Sequence, residues 1–253
     1  MLPRPSGLCT LSTDFGLADP YAGIMKGAML RGSPKVQIVD VTHDIPPQDV
    51  DAGTFFVQAL IGRFPSGTVH VVVVDPGVGT TRRLLAVAAH DCYWLAPDNG
   101  LLSPVLAGAE AIDVRAIDIE HLGIRPESHT FHGRDIFAPV AAWLATGRYG
   151  FSALGSRVAD PIARPGDASH RVVHVDRYGN LITNVPAGLF AEARGLRLLA
   201  RAIPRHLTYG DATPGQLLAY TGSFGFVEIA QNGGSAAAVL GVGRGAPVEL
   251  WSA

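Results

Sequence analysis

Val69 to Arg83 reads VHVVVVDPGVGTTRR: a buried-strand pattern that ends on a carboxylate, enters a glycine-containing loop and meets two arginines within eight residues. Five of the first six residues are valine, which fits a strand covered on both faces. Pro76, Gly77 and Gly79 then turn the chain sharply. Asp75 is thereby placed at the C-terminal end of a strand, where open α/β sheets collect their ligands. Taken alone, Asp75 and Arg82 also read as an ordinary loop salt bridge.

Working outward, the first part of the chain alternates strand and helix signals. LCTLS (8–12) and VQIVDV (36–41) read as strands, and Asp19-Pro20 between them as an N-cap and first-turn proline opening a helix through Leu30. A second helix is expected from about Asp49 to Phe64, with Phe56, Leu60 and Phe64 on one apolar face. LLAVAAH (84–90), YWLAP (93–97) and AIDVRAI (111–117) continue the strand series, and Asp135 is expected to cap a helix through Thr146. This order implies a mostly parallel sheet with helices on its faces. From Val158 to His170 the chain reads VADPIARPGDASH, a linker composition. Beyond it, RVVHVD (171–176), LITNV (181–185), FVEIA (226–230) and AAAVLGV (236–242) read as short strands of a small antiparallel sheet or barrel. The division expected is an α/β N-terminal domain over 1–160, a linker over 161–170 and an all-β, barrel-like C-terminal domain over 171–253.

Composition narrows the function. The chain has 253 residues, 47% hydrophobic and 17% charged, which suits a globular protein with a sizeable core. A net charge of −2 with scattered basic residues gives no polyanion-binding signature, so nucleic acid is not expected as a partner. Cys9 and Cys92 both fall in apolar strand-like runs, which indicates neither a disulfide framework nor a thiolate metal site. The nine histidines show no ligand spacing such as HExxH. The start, MLPRPSGLCTLSTDF, lacks an apolar signal core and no apolar run reaches roughly 18 residues, so a cytoplasmic protein without a membrane partner is expected.

Polar clusters punctuate the strand ends. Asp14, in STDFG (12–16), has the chemistry to accept two hydrogen bonds from the vicinal hydroxyls of a ribose, and equally that of a turn residue or helix cap. His132, in TFHGRD (130–135), stands just before a helix start and by itself reads equally as a structural histidine. Asp176 to Asn180 with Asn184 is a β-hairpin turn by residue type, where asparagine usually serves the backbone.

In this order, STDFG (12–16), DPYAGIMKG (19–27), VDVTHDIPPQD (39–49), VVDPGVGTTRR (73–83), APDNGLLSP (96–104), TFHGRD (130–135), VDRYGNLITN (175–184) and SFGFVEIAQNGGSA (223–236) closely resemble the S-adenosyl-L-methionine (SAM) hydroxide adenosyltransferases, the adenosine-forming SAM hydrolases related to fluorinase and chlorinase. The resemblance runs from Leu11 to Val242. It implies a homotrimer with each substrate site between the N-terminal domain of one subunit and the C-terminal domain of its neighbour. It further implies attack of water or hydroxide on the ribose C5′ of SAM, releasing adenosine and L-methionine, with SAM as substrate and no cofactor or metal.

The sulfonium leaves as a neutral thioether, so the chemistry asks for in-line approach and a better nucleophile rather than an acid. The family's Asp-Arg-His trio maps onto Asp75, Arg82 and His132, and sequence leaves open whether Asp75 or His132 takes the proton. By motif position, Asp14 matches the ribose-binding aspartate, and Asp19 and Tyr21 fall where the methionine end is approached. Asp176 and Ser223 match residues that hold the methionine amino and carboxylate groups, and Asn180, Gln231, Asn232 and Gly233 lie where adenine is read. Phe224 stands where halogenases often carry arginine, a departure at the carboxylate contact. The alternatives are a halogenase of the same fold and a catalytically silent SAM-binding module. Fluorinase has tyrosine where this chain has Asp75 and a serine donor to halide where it has Gly133. The full trio argues against a silent binder, because binding alone does not require it.

Overall fold

The computed structural model describes residues 2–110, 112–164 and 169–252. It divides into two compact units, Met1–Pro165 and Gly166–Ala253; residues 165–168, within the stretch read as a linker, lie outside the described residues.

The first unit is built on a six-stranded sheet. Its strands are β1 (Leu8–Thr13), β2 (Gln37–Thr42), β3 (Val69–Val73), β4 (Leu84–Ala89), β5 (Cys92–Pro97) and β6 (Asp113–Ala116), arranged β2-β1-β3-β5-β4-β6. β1 pairs in parallel with both β2 and β3, and β3 with β5; β4 alone is antiparallel to its neighbours β5 and β6. The expectation of a mostly parallel sheet holds. The reversal at β4 comes from the tight turn at His90 and Asp91, both at positive φ (52° and 56°), which returns β5 directly alongside it.

Periodicity explains the two-sided burial. Val69, Val71 and Val73 of β3 face a core shared with α1 (Tyr21–Gly32) and α4 (Ala138–Ala145), while Val72 and Val74 face one shared with α2 (Val50–Leu60) and α3 (Ser103–Ala107). Each side chain so buried contributes about 1.5–3 kcal/mol relative to exposure. Burial also pushes the Cys9 thiol, in β1, up to about 12. No helix among the described residues is long and apolar enough to cross a membrane.

Three helix boundaries differ from expectation. Asp19 is exposed and makes no cap, because Pro20 itself occupies the N-cap position and α1 starts at Tyr21. Asp49 does cap α2, its Oδ1 accepting the Ala52 N–H at 2.9 Å, but the helix stops at Leu60 ahead of Gly62, whose φ is +70°. Asp135 caps nothing. It sits inside a π-helical turn, Gly133–Phe137, that precedes α4, and its Oδ2 accepts the Ser128 N–H at 2.9 Å.

The second unit carries two antiparallel sheets. One has the order β11-β12-β8-β7, from β7 (Val172–Val175), β8 (Leu181–Pro186), β11 (Leu217–Thr221) and β12 (Phe226–Gln231). The other has the order β10-β9-β13, from β9 (Gly195–Leu198), β10 (Arg201–Pro204) and β13 (Glu249–Trp251). Single bridges, Arg171 with Pro247 and Arg205 with Ala219, join the sheets at both margins around one core, which gives the barrel-like form. A short helix, α5 (Ala187–Phe190), follows β8. The run read as a strand at 236–242 is instead α6 (Ala236–Leu240). Ser235 accepts the Ala238 N–H at its start, and Gly241, at φ +65°, ends it in the left-handed conformation.

Candidate active site

The strand order places the site. From β1 the chain passes through α1 to β2 on one side, then crosses to β3 on the other, so the tips of β1 and β3 flank a topological switch point. There a cleft of about 190 Å³ is lined by Asp14 and Phe15 from the β1 tip, Gln48 from the loop before α2, and Val73, Asp75, Pro76 and Val78 from the β3 tip. Thr130, Phe131, His132 and Gly133 complete it. Larger hollows are present among the described residues: two, about 570 and 490 Å³, lie at the far end of the sheet beside His90 and along the edge strand β6, and neither brings an acid, a base and a fixed cation together, while a third, about 410 Å³, adjoins the cleft at Gln48 and Pro76.

Local folding of the 75–82 loop brings the charges to each other. The Val78 N–H donates to the Asp75 carbonyl and the Thr80 N–H to the Gly77 carbonyl, each at 3.2 Å, so two successive turns lay Arg82 back over Asp75. At Gly79 φ is +83°, and a Cβ there would stand 2.8 Å from the His129 carbonyl oxygen. Only glycine lets this loop lie against the 128–132 segment.

Arg82 Nε donates to Asp75 Oδ1 at 2.6 Å and its terminal nitrogen to Oδ2, a two-pronged pair in which both side chains are under a tenth exposed. The same terminal nitrogen lies 3.2 Å from His132 Nδ1. Loss of solvent lowers the His132 pKa below the ordinary histidine value, and the adjacent Arg82 charge adds to this. Asp14 is shifted the other way: desolvation first, then the charge of Asp75, raise it against hydrogen bonds from the Gln48 N–H (2.8 Å) and its own. Phe15, Phe131 and Tyr21 form an edge-to-face wall with centroids 5.4–6.2 Å apart.

The trio and Asp14 are thus gathered in one place. Asp19 does not line the cleft, and Tyr21 reaches it only through its ring contacts. Gln48, Phe15 and Phe131 went unread in the sequence. Nothing in IPPQD singled out Gln48; its φ of +62° and its N–H bond to Asp14 emerge only in the fold.

The residues expected from the second unit behave differently. Asp176 Oδ1 accepts the backbone N–H groups of Tyr178 and Asn180, and its Oδ2 accepts Asn180 Nδ2 at 2.8 Å. Gln231 donates to the Gly215 carbonyl and Asn232 to the Ala212 carbonyl, while Gly233, at φ +73°, turns the chain after β12. Ser223 and Phe224 are exposed in the β11–β12 turn. Beneath that turn, unread in the sequence, Glu228 is buried; it accepts Tyr220 OH at 2.6 Å, and burial raises its pKa. Among the described residues no group of three or more His, Cys, Asp or Glu could hold a metal ion.

Known proteins resemble this chain along nearly its whole length. The chain is 39% identical to the (R)-S-adenosyl-L-methionine hydrolase of Salinispora tropica, over 95% of its own length and 96% of the relative's. It is 28% identical to the fluorinase of Nocardia brasiliensis, over 94% of each. A crystal structure of an uncharacterized conserved protein from Thermotoga maritima superposes with a TM-score of 0.89 at 34% identity, covering 96% of this chain and 99% of that one. Residues 9–155 match the N-terminal domain, and 170–249 the C-terminal domain, of the SAM hydroxide adenosyltransferases, and the chain belongs to that family.

Proposed function

We propose that this protein hydrolyses S-adenosyl-L-methionine to adenosine and L-methionine, with Asp75, Arg82 and His132 directing water at the ribose C5′. The observation that carries this reading is Arg82 contacting both partners at once. Guanidinium has no acceptor, so His132 Nδ1 must accept from it. With the ring neutral, its proton then resides on Nε2, and His132 offers a donor to the nucleophile rather than a base. Asp75 lines the cleft with Arg82 behind it, and its carboxylate retains lone pairs for the water proton. As the C5′–O bond forms, the C5′–S bond breaks with its electron pair on sulfur and the water proton passes to Asp75. The balance is SAM cation plus water giving adenosine, methionine and one proton. Such positioned groups contribute about 10²–10⁴-fold; orientation and desolvation supply the rest.

Two features favour water over halide. A carboxylate at the cleft repels an approaching anion and attracts a water proton. Gly133 supplies no hydroxyl, and the position its Cβ would take is 3.2 Å from the Phe15 ring. A metal-assisted route is disfavoured because both Asp75 oxygens and His132 Nδ1 already face a fixed cation, Arg82.

The substrate site is read as completed by a neighbouring subunit of a homotrimer, because the residues matched to substrate binding are divided between the two units while the cleft of about 190 Å³ is lined by the first unit alone. In that assembly Asp14 holds the ribose, Asp19 and Tyr21 lie toward methionine, Asp176 and Ser223 hold its polar ends, and Asn180, Gln231, Asn232 and Gly233 read adenine. In ¹⁸O water with chloride present, label at the adenosine 5′ position, undiminished by EDTA, is the expected result; 5′-chloroadenosine as main product overturns it. Sedimentation at three times the chain mass is expected, and a fully active monomer overturns the shared site.

A further inference from the structure

One buried chain of contacts reaches the β1 tip from the protein surface without entering the cleft. Lys26 Nζ, on α1, donates to Asp40 Oδ2 at 2.8 Å, and Asp40 Oδ1 lies 3.1 Å from His43 Nε2, off the ideal line of the ring N–H. His43 Nδ1 stands 2.8 Å from Thr13 Oγ1, which accepts the Phe15 N–H at 3.2 Å. Asp40 is 41% exposed, whereas His43 and Thr13 are almost wholly enclosed. Burial of Asp40 opposes its ionisation, but Lys26 and His43 outweigh this and hold its carboxyl below the usual range, so it is an anion that can only accept. Asp40 faces His43 Nε2 as an ion-pair contact that does not complete a hydrogen bond; with the Nε2 proton drawn toward that anion, Nδ1 accepts the Thr13 O–H and the Thr13 oxygen remains free to take the Phe15 N–H.

The backbone repeats the same connection. The Gly16 N–H donates to the His43 carbonyl at 2.7 Å and the Ile45 N–H to the Thr13 carbonyl at 3.3 Å. Asp14 stands between Thr13 and Phe15, the two residues that the hydroxyl ties together, and receives the Gln48 N–H from the segment His43 begins. Desolvation and the charge of Asp75 work against the Asp14 carboxylate, and what opposes them is the hydrogen bonds from the Gln48 N–H and its own backbone, both supplied by this framework.

We propose that Asp40, His43 and Thr13 are positioning residues: a carboxylate–imidazole–hydroxyl chain, fixed at the surface by Lys26, that aims Asp14 at the vicinal hydroxyls of the substrate ribose and so sets selectivity for ribonucleosides. This rests on Asp14 as the ribose anchor and not on turnover. It acts like an outer-shell partner that orients a ligating side chain it does not replace.

The test uses the intact protein and titrates adenosine against 2′-deoxyadenosine by calorimetry. Wild type should prefer adenosine by about 10-fold or more, the value of one hydrogen bond to a charged group. Thr13→Val keeps the shape and removes the hydroxyl, and should reduce that preference to about 3-fold or less, with Thr13→Ser restoring it. In SAM hydrolysis Thr13→Val should raise KM by about 10-fold and leave kcat within about 2-fold, the signature of lost binding rather than lost chemistry. A folded Thr13→Val with full adenosine preference and unchanged KM overturns the proposal. Should that variant not fold, Asp40→Ala, at an exposed position, decides it: unchanged preference overturns, reduced preference supports. A wild type that selects adenosine yet leaves SAM intact defeats the hydrolase reading and not this one; hydrolysis with unselective Thr13→Val and wild type alike defeats only this one.

Discussion

The tips of β1 and β3 and the hairpin turns of the second unit use similar residues to opposite ends. At the strand tips Asp14, Asp75 and His132 point into a common space from which solvent is partly excluded, and it is first this desolvation that raises Asp14 and lowers His132, with Asp75 adding to the one and Arg82 to the other. In the second unit Asp176 and Asn180 satisfy each other and the backbone of their own turn, and Gln231 and Asn232 donate to the Gly215 and Ala212 carbonyls of the segment that precedes β11. Parallel strands end side by side, so their tips leave polar groups without local partners and available to a ligand. A tight antiparallel turn must satisfy its own N–H and C=O groups, and consumes its polar side chains in doing so.

The sharpest way to break this contrast is at the trio. Asp75→Asn and His132→Ala should each lower kcat by about 10²-fold or more with SAM affinity within several-fold. Arg82→Lys keeps charge but loses the planar fork that holds both partners, and should fall comparably in single-turnover assays. Near-normal turnover in all three would return Asp75 and Arg82 to the status of a loop salt bridge. Asp14→Ala should act mainly on affinity, raising KM by about 10-fold or more; a kcat loss at constant KM would place it in the chemistry instead.

On the other side, Asn180 also serves its own turn. Asn180→Ala removes the nearly enclosed amide that donates to Asp176 and should destabilise by about 1–3 kcal/mol, read as a lowered denaturation midpoint. An unaltered midpoint would mean the turn does not depend on it and its amide is free for ligand. Acid probes the first unit through His70, enclosed in β3 against Trp94 and lowered by burial to about 3. Its folded form stays neutral while the unfolded chain takes up a proton below about 6.5, so its contribution is full above that pH and lost as pH falls toward 3. Denaturant titrations should show a slope of up to about 1.4 kcal/mol per pH unit in that window, flattened in His70→Phe.

The sheet and the strand tips were legible because each announces itself locally: valine runs, a carboxylate at the end of one, and turn residues after it; the trio came only with the resemblance, since Asp75 and Arg82 alone pass for a salt bridge and His132 alone for a structural histidine. What was illegible depended on context. Leu199 and Ala200 both adopt positive φ, 51° and 60°, in the turn joining β9 to β10, where residue preference would ask for asparagine or glycine, so that hairpin carried no signal. The alanine-rich run at 236–240 is too short for periodicity to separate strand from helix, and its Ser235 cap was the better guide. Asp19 and Asp135 resemble caps in sequence, but a proline took the position of one and a π-turn enclosed the other.

Gly133 also bears on how this pocket can change over generations. A serine there, the first step toward a hydroxyl-lined anion site, meets the Phe15 ring at 3.2 Å before it meets any ligand. Phe15 in turn supports Phe131 and Tyr21, so a side chain at 133 asks that aromatic wall to give by a few tenths of an ångström. A change at position 133 is therefore coupled to positions 15, 131 and 21, and the order in which they vary decides how easily a hydroxyl can be introduced there.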